Sequence, residues 1–453
     1  MAPRREHLNL VLFGNPSFWS DKRSAHGSSA RTAFNRYVDF AQQAERARLD
    51  AFFRADFLGF DKERIGNDPS LLAEPVALTA ALSSVTERIG LVATASTSFF
   101  EPYNVARQIA TLHNVSGGRA GWNAVTSFNG EVNFGPSAFG SPAERYTRAS
   151  EFIEIVVKLW DSWQPDALRF TDGAQPIVDP TRIHNLRHVG RYYSVEQALD
   201  VSRLTDSLPV VFQAGASDDG IRFAARFGEA VFVATPDRDR ARAYYDSIKE
   251  LVVAGGRHPD SLRVLPGVRT FIADTEQDAQ DEYRAVFDED GYYAERLQFI
   301  RREAPFFDLD GLDLDDVIPA ERIPSREKLA TSQRRVSRGL LLHDLVTELD
   351  NVTLRQFLQR IRGSGHLDVI GTADQVAAVF AEWFIDRASD GFTLHGGNSF
   401  DRLTDQVVPL LQDKGLLRTD YEFETLRDNI GLEPYHLSRE QTWSRGLPAG
   451  EGG

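Results

Sequence analysis

Short apolar runs recur along the chain, and between them lie longer stretches in which apolar residues return every three or four positions. The runs are HLNLVLF from residue 7, DAFFRAD from 50, IGLVATAST from 89, GWNAVTS from 121, PVVFQAG from 209, AVFVAT from 230, VLPGVRTFIAD from 264 and GFTLHGG from 391. After the first run, Phe34, Tyr37, Val38, Ala41 and Ala44 fall at helical spacing. Eight strand-then-helix units predict an α/β protein built as a parallel (β/α)8 barrel of the TIM type. A doubly wound open sheet is the alternative, and the chain lacks the G-x-G-x-x-G signature that would favour it.

Two spacings, residues 164–208 and 275–390, are too long for bare helical crossovers. One barrel domain over 1–440 is therefore expected, with insertions at about 164–208 and 275–345 and a flexible tail over 441–453. The second insertion contains FFDLDGLDLDDVIP, whose Asp308, Asp310 and Asp313 invite a calcium reading. An EF-hand loop begun at Asp308 would need glycine sixth and glutamate twelfth, where the chain has Asp313 and Pro319. A solvated acidic lid segment is the expectation instead.

Composition narrows the function classes. Hydrophobic residues at 42% and charged residues at 26% allow a sizeable core. The absence of cysteine removes disulfides, thiolate catalysis and cysteine metal ligands. A net charge of -15 without a Lys/Arg cluster argues against nucleic acid. No apolar run of about 18 residues is present, and the start, MAPRREHLNLVLFG, is too briefly apolar for a signal peptide, so no membrane partner and a cytoplasmic location are expected.

In the fourth run, strand alternation puts Asn123, Val125 and Ser127 on one face and Trp122, Ala124 and Thr126 on the other. An amide on a buried face is costly unless bonded, so Asn123 requires a partner: neighbouring backbone or a ligand. In a barrel of this type the carboxyl ends of the strands line the site. Asp56, Thr94, Ser96, Thr97, Asn123, Thr126, Ser127, Gln213, Gly215, Ser217 and His395 fall there, beside apolar walls from Phe13, Phe57, Phe99 and Phe128. A mostly uncharged polar face with apolar walls suits a large planar heterocycle.

The run PVVFQAGASDDGIRFAARF reads as strand, glycine-bearing turn and helix. Backbone amides at that helix start, with Ser217, could cradle a phosphate, while Asp218 and Asp219 equally serve as ordinary caps. His184 and His188 are four apart in a predicted loop with no third ligand nearby, so no metal is expected. HGGN at 395–398 has no nucleophile elbow to accompany it.

LDAFFRAD, SSVTERIGLVATAST, PYNVARQIATL, SGGRAGWNAVTS, AERYTRASEF, LWDSW, QAGASDDGIRFAA, DGFTLHGG and VVPLLQDKGLLRTDYEFETLRDNIGL follow one another in the order of a single family. From about residue 8 to 435 the chain resembles flavin-dependent monooxygenases of the bacterial-luciferase-like superfamily, in the nitrilotriacetate, dibenzothiophene-sulfone and long-chain alkane monooxygenase branch. The resemblance implies a barrel that takes reduced FMN (FMNH2) from a separate NAD(P)H:flavin reductase. It also implies dioxygen as co-substrate, a flavin peroxide that oxygenates a small organic substrate, and a homodimer or homotetramer. It places Asp56, Thr94 and Asn123 beside the flavin ring, Tyr146 at the phosphate or ribityl chain, and Gly215 and Ser217 at the phosphate. Asn123 and Ser127 become the candidate catalytic residues, and Phe13, Trp19, Phe57, Phe128 and His395 the candidate substrate pocket. Asn123 would then bond the pyrimidine edge of the isoalloxazine, whose N–H and carbonyls complement an amide.

The chain departs from the family where relatives often carry histidine: Phe128 follows V-T-S, and Pro142 stands four before the tyrosine of E-R-Y. WSDK from Trp19 replaces the usual W-R-x-P. These changes bear on the substrate and on proton delivery. A hydride-transferring flavin oxidoreductase that does not use dioxygen, and a catalytically degraded flavin-binding protein, stay open as alternatives.

Overall fold

The computed structural model describes residues 7–19, 30–60, 73–127, 130–135, 141–170, 176–215, 217–287, 292–332, 336–361 and 363–433. Phe128 and the tail over 441–453 lie outside the described residues. All eight expected runs form strands: β1 (Asn9–Phe13), β2 (Ala51–Arg54), β3 (Gly90–Ser96), β4 (Ala120–Val125), β5 (Val210–Ala214), β6 (Ala230–Val233), β7 (Arg263–Ile272) and, as the last strand, β9 (Gly391–Gly397). Parallel pairing runs β6-β5-β4-β3-β2-β1-β9-β7, and a β6–β7 ladder closes the ring. The protein is therefore a closed eight-stranded parallel barrel with helices around it, a TIM-like α/β fold.

Sequence patterning did not reveal β8 (Leu367–Gly371), which pairs from Val268 onward along the upper half of β7. It lies on the flank of the closed ring, so its LDVIG is only partly covered and lacks the uniformly apolar character of the ring strands.

The ring strands are apolar because both faces are covered. Trp122 and Leu91 face the helices, while Val92, Phe53 and Phe212 fill the interior. Proline or a capping side chain starts several helices: Glu74 caps α2 (Pro75–Ser83), Ser141 caps α4 (Pro142–Trp160) and Ser217 caps α5 (Asp218–Phe227). Two more helices of the layer are α1 (Ala30–Arg46) and α3 (Pro102–Val115).

The amino-terminal end of the ring is sealed by residues 425–432. Leu426 and Ile430 insert into the interior cluster, and Arg427 makes a two-pronged ion pair with Glu229 at 2.6 and 2.8 Å. This end carries stability, which leaves the carboxyl end for chemistry. Residues 164–208 carry two short antiparallel ribbons, and the segment between β7 and β8 is mostly helical. That segment builds its own apolar cluster around Ile300, Leu342 and Phe357. In its acidic stretch Phe307 and Leu309 are buried while Asp308, Asp310 and Asp313 are exposed. Among the described residues no helix is long and apolar enough to cross a membrane.

Candidate functional site

At the carboxyl ends of β3 and β4, the Asn123 amide nitrogen donates to Thr94 Oγ1 at 2.9 Å, and the Thr94 hydroxyl donates to the Arg54 carbonyl at 2.7 Å. Both side chains are almost fully buried. Asn123 Oδ1 has no hydrogen-bond partner among the described residues. The amide thus has one end anchored and the other aimed at nothing in the protein, at a cost of about 1–3 kcal/mol for an unsatisfied buried acceptor. Thr94 spends its one proton on the backbone, so it orients the amide.

One turn higher, Ser127 and Ser96 share a hydrogen bond at 2.7 Å between their hydroxyls, and Ser96 Oγ accepts from Ser98 N at 3.1 Å. Asp56 follows β2 and accepts from the Phe57 amide at 2.9 Å. Burial, reinforced by repulsion from Glu74, pushes its carboxyl up to about 6 against the pull of that amide and of Arg54. Phe57 lies at the rim, 40% exposed.

The β5–α5 turn forms a second corner. Ser217 caps α5, accepting from Gly220 N at 3.2 Å. A Cβ at Gly215 would lie 2.8 Å from the Gln213 amide nitrogen, and one at Gly220 would lie 2.9 Å from the Tyr146 hydroxyl. Glycine at both positions lets the turn, the helix start and Tyr146 converge without displacing the Gln213 amide or the Tyr146 hydroxyl. Gln213 Oε1 is buried without a partner among the described residues. Backbone amides, a hydroxyl pair and a helix N-terminus make a cradle suited to a phosphate. Asp218 and Asp219 lie in the first turn of the same helix, and Asp219 pairs with Arg222.

The interior between these corners is aromatic. Phe13 stacks on Phe18 at 5.5 Å and meets His395 at 4.6 Å, while Phe53 and Phe232 complete the floor. His395 is the extra residue of a β-bulge: Val268 opposes Leu394, and Arg269 opposes Gly396. His366, from the turn before β8, lies ring on ring with it at 4.4 Å. Enclosure, reinforced by Arg269 and Arg338, lowers the His395 imidazole to about 3, so it is neutral at ordinary pH.

Of the expected site residues, Thr94, Asn123 and Ser127 gather on the β3–β4 side, Tyr146, Gly215 and Ser217 at the β5–α5 corner, and Phe13 and His395 on the floor. Trp19 is placed apart from these groups. It is fully buried in the outer layer, bridged to Gly397 and packed on Phe400 at 5.0 Å and Phe40 at 6.5 Å. Residues missed in the sequence are Phe18, Phe53, Phe232 and His366. The glycine-bearing turn GSGH ahead of LDVIG was the available signal for His366.

The sequence model of the family described as luciferase-like monooxygenase matches residues 17–388. The chain is 38% identical over 415 residues to N-acetyl-S-(2-succino)cysteine monooxygenase of Bacillus subtilis (strain 168), covering 90% of this chain and 91% of that protein. It is 37% identical to nitrilotriacetate monooxygenase component A of Aminobacter aminovorans, covering 87% and 89%. Among solved structures, a riboflavin lyase with modified FMN and substrate riboflavin superposes with a TM-score of 0.76 at 27% identity, over 94% of this chain and 96% of that one. The barrel, the site at its carboxyl end and these matches agree: the chain belongs to the luciferase-like monooxygenase family.

Proposed function

We propose that this monooxygenase binds reduced FMN delivered by a separate NAD(P)H:flavin reductase and uses it with dioxygen to oxygenate a small organic substrate. The observation that carries this reading is the placement of complementary groups at the ends of two paired strands, β4 and β5. An anchored amide with an unpaired oxygen stands on β4, and a glycine-built cradle stands at the β5–α5 turn. Asn123 would bond the flavin's pyrimidine edge through Oδ1, with Thr94 holding it and Asp56 nearby. Ser217, Gly215 and the Tyr146 hydroxyl would hold the phosphate. When bound, reduced flavin supplies the two electrons needed to activate dioxygen. The chain's part is to orient the ring and keep water out, and the aromatic floor of Phe13, Phe53 and Phe232 suits that task. By strand alternation Ser127 falls on the same face as Asn123, whereas Thr126 falls on the other, and we assign Ser127 a place at the reacting face.

The name "component A" of the Aminobacter aminovorans relative supports a two-component system, and the FMN in the riboflavin lyase structure supports the flavin. A homo-oligomer is carried over as part of the same reading. The names of the two relatives at 38% and 37% identity place carboxylates on their substrates, which supports a carboxylate-bearing substrate here. The test is oxygen uptake by the purified protein with photoreduced FMN, across a panel of carboxylate-bearing thioethers and amines. Substrate-dependent formation of an oxygenated product is expected. Uptake that yields only hydrogen peroxide with every compound would contradict it.

A further inference from the structure

The mouth has one feature that flavin binding does not absorb: the side formed by β6, β7 and β9. The bulge at His395 turns its ring into the barrel, where it stacks on Phe232 at 6.0 Å and on His366 at 4.4 Å. His366 fits there because β7 has Gly267 opposite. A Cβ at that position would overlap the His366 ring nitrogen Nδ1 and Phe232. His366 also lies nearly parallel to Phe232, 5.3 Å between centroids and 14° between planes, so the three rings form one cluster. Neither ring nitrogen of His395 has a hydrogen-bond partner among the described residues, and the side chain keeps partial exposure. A neutral imidazole carries one donor and one acceptor, and no described residue takes up either.

Two arginines stand on this side. Arg269 and Arg338 both act on His395. Arg269 is held by Asp368 through two hydrogen bonds at 2.7 Å, and Asp368 also accepts from the Tyr283 hydroxyl at 2.9 Å. Arg338 reaches from the helical insertion to the Ser364 carbonyl, two residues before His366. A fixed N–H donor in a low-dielectric wall with guanidinium groups behind it favours an anion. The acidic residue of the flavin side, Asp56, follows β2, two strands round the ring from β9.

We propose that His395, oriented by His366 and backed by Arg269 and Arg338, is the subsite that binds a carboxylate of the substrate. His395 donates the hydrogen bond, and His366 is a positioning residue. The assignment rests on the proposed small-organic-substrate reading, yet it is tested by binding alone.

Calorimetric titration of the full chain, without flavin turnover, compares succinate with its uncharged isostere succinamide. Succinate is expected to bind and succinamide to bind at least about tenfold more weakly. His395→Phe keeps the stacked ring and loses the donor, so it should weaken succinate about tenfold or more, while His395→Asn restores a donor and most of the affinity. His366→Phe should hold succinate affinity near native, and His366→Ala should lose it with the affinity for oxidised FMN unchanged. Equal binding of succinate and succinamide, no succinate binding by the native chain up to about 10 mM, or native succinate affinity in His395→Phe would overturn the subsite. A failure of the monooxygenase reading would appear separately, as absent oxygenated product.

Discussion

The Asn123 amide nitrogen and the Thr94 hydroxyl lie 2.9 Å apart, and that one bond leaves Asn123 Oδ1 buried and unpaired. Asn123→Leu separates a binding role from a structural one. Leucine is close in volume, and Thr94 keeps its bond to the Arg54 carbonyl, so no backbone group is stranded. The melting temperature should barely move. Affinity for reduced FMN should fall at least about tenfold, the equivalent of one lost hydrogen bond in a dry site. A large drop in melting temperature with native flavin affinity would make Asn123 a structural residue.

At the β5–α5 corner, Ser217→Asp is more informative than alanine. Aspartate keeps the cap that Ser217 provides to Gly220 N, so helix α5 should survive, while the added charge repels a phosphate. FMN binding should weaken far more than riboflavin binding, and equal weakening of both would place the phosphate elsewhere. Gly220→Ala puts a methyl group 2.9 Å from the Tyr146 hydroxyl and should likewise discriminate against FMN.

Asp56 makes stability depend on pH. Its folded value of about 6 lies above the ordinary 3.8, so the folded state favours the protonated carboxyl. Stabilisation from this group is complete below 3.8 and is lost as the pH rises through about 6. Asp56→Asn, which stays neutral, should match the native melting temperature at the acid end and exceed it increasingly across that window. Parallel curves for the two proteins would show that the carboxyl is not desolvated.

Trp19 offers a control in the outer layer. Its ring fills the space between Phe40 and Phe400, so Trp19→Ala should cost about 3–5 kcal/mol on denaturant unfolding. Flavin and substrate affinity of the folded fraction should stay native. A selective loss of substrate binding would return Trp19 to the pocket.

How much of this was legible depended on distance along the chain. The eight ring strands could be read because each is locally apolar, and the polar strand ends could be placed because barrel chemistry sits at one end. The need of Asn123 for a partner was visible from alternation alone, whereas the identity of that partner, Thr94, came only with the β3–β4 register that sets them opposite. β8 escaped because a strand half-covered on a flank lacks the apolar signature, and His366 escaped with it. The aromatic floor joins Phe13, Phe53 and Phe232 from strands some forty to two hundred residues apart, and no local pattern encodes such a meeting. The packing of Trp19 on Phe40 and Phe400 could not be read, because proximity to the end of β1 does not say which side of the strand layer the following turn takes.

The central claim, that this mouth receives flavin already reduced elsewhere, is tested most directly by anaerobic stopped-flow mixing of the purified protein with FMN and NADH. The account predicts tight binding of photoreduced FMN, weaker binding of oxidised FMN, and no rapid NADH-dependent flavin reduction by the protein alone, since the chain has no dinucleotide fingerprint. Rapid reduction of FMN by NADH in the absence of any reductase would contradict it.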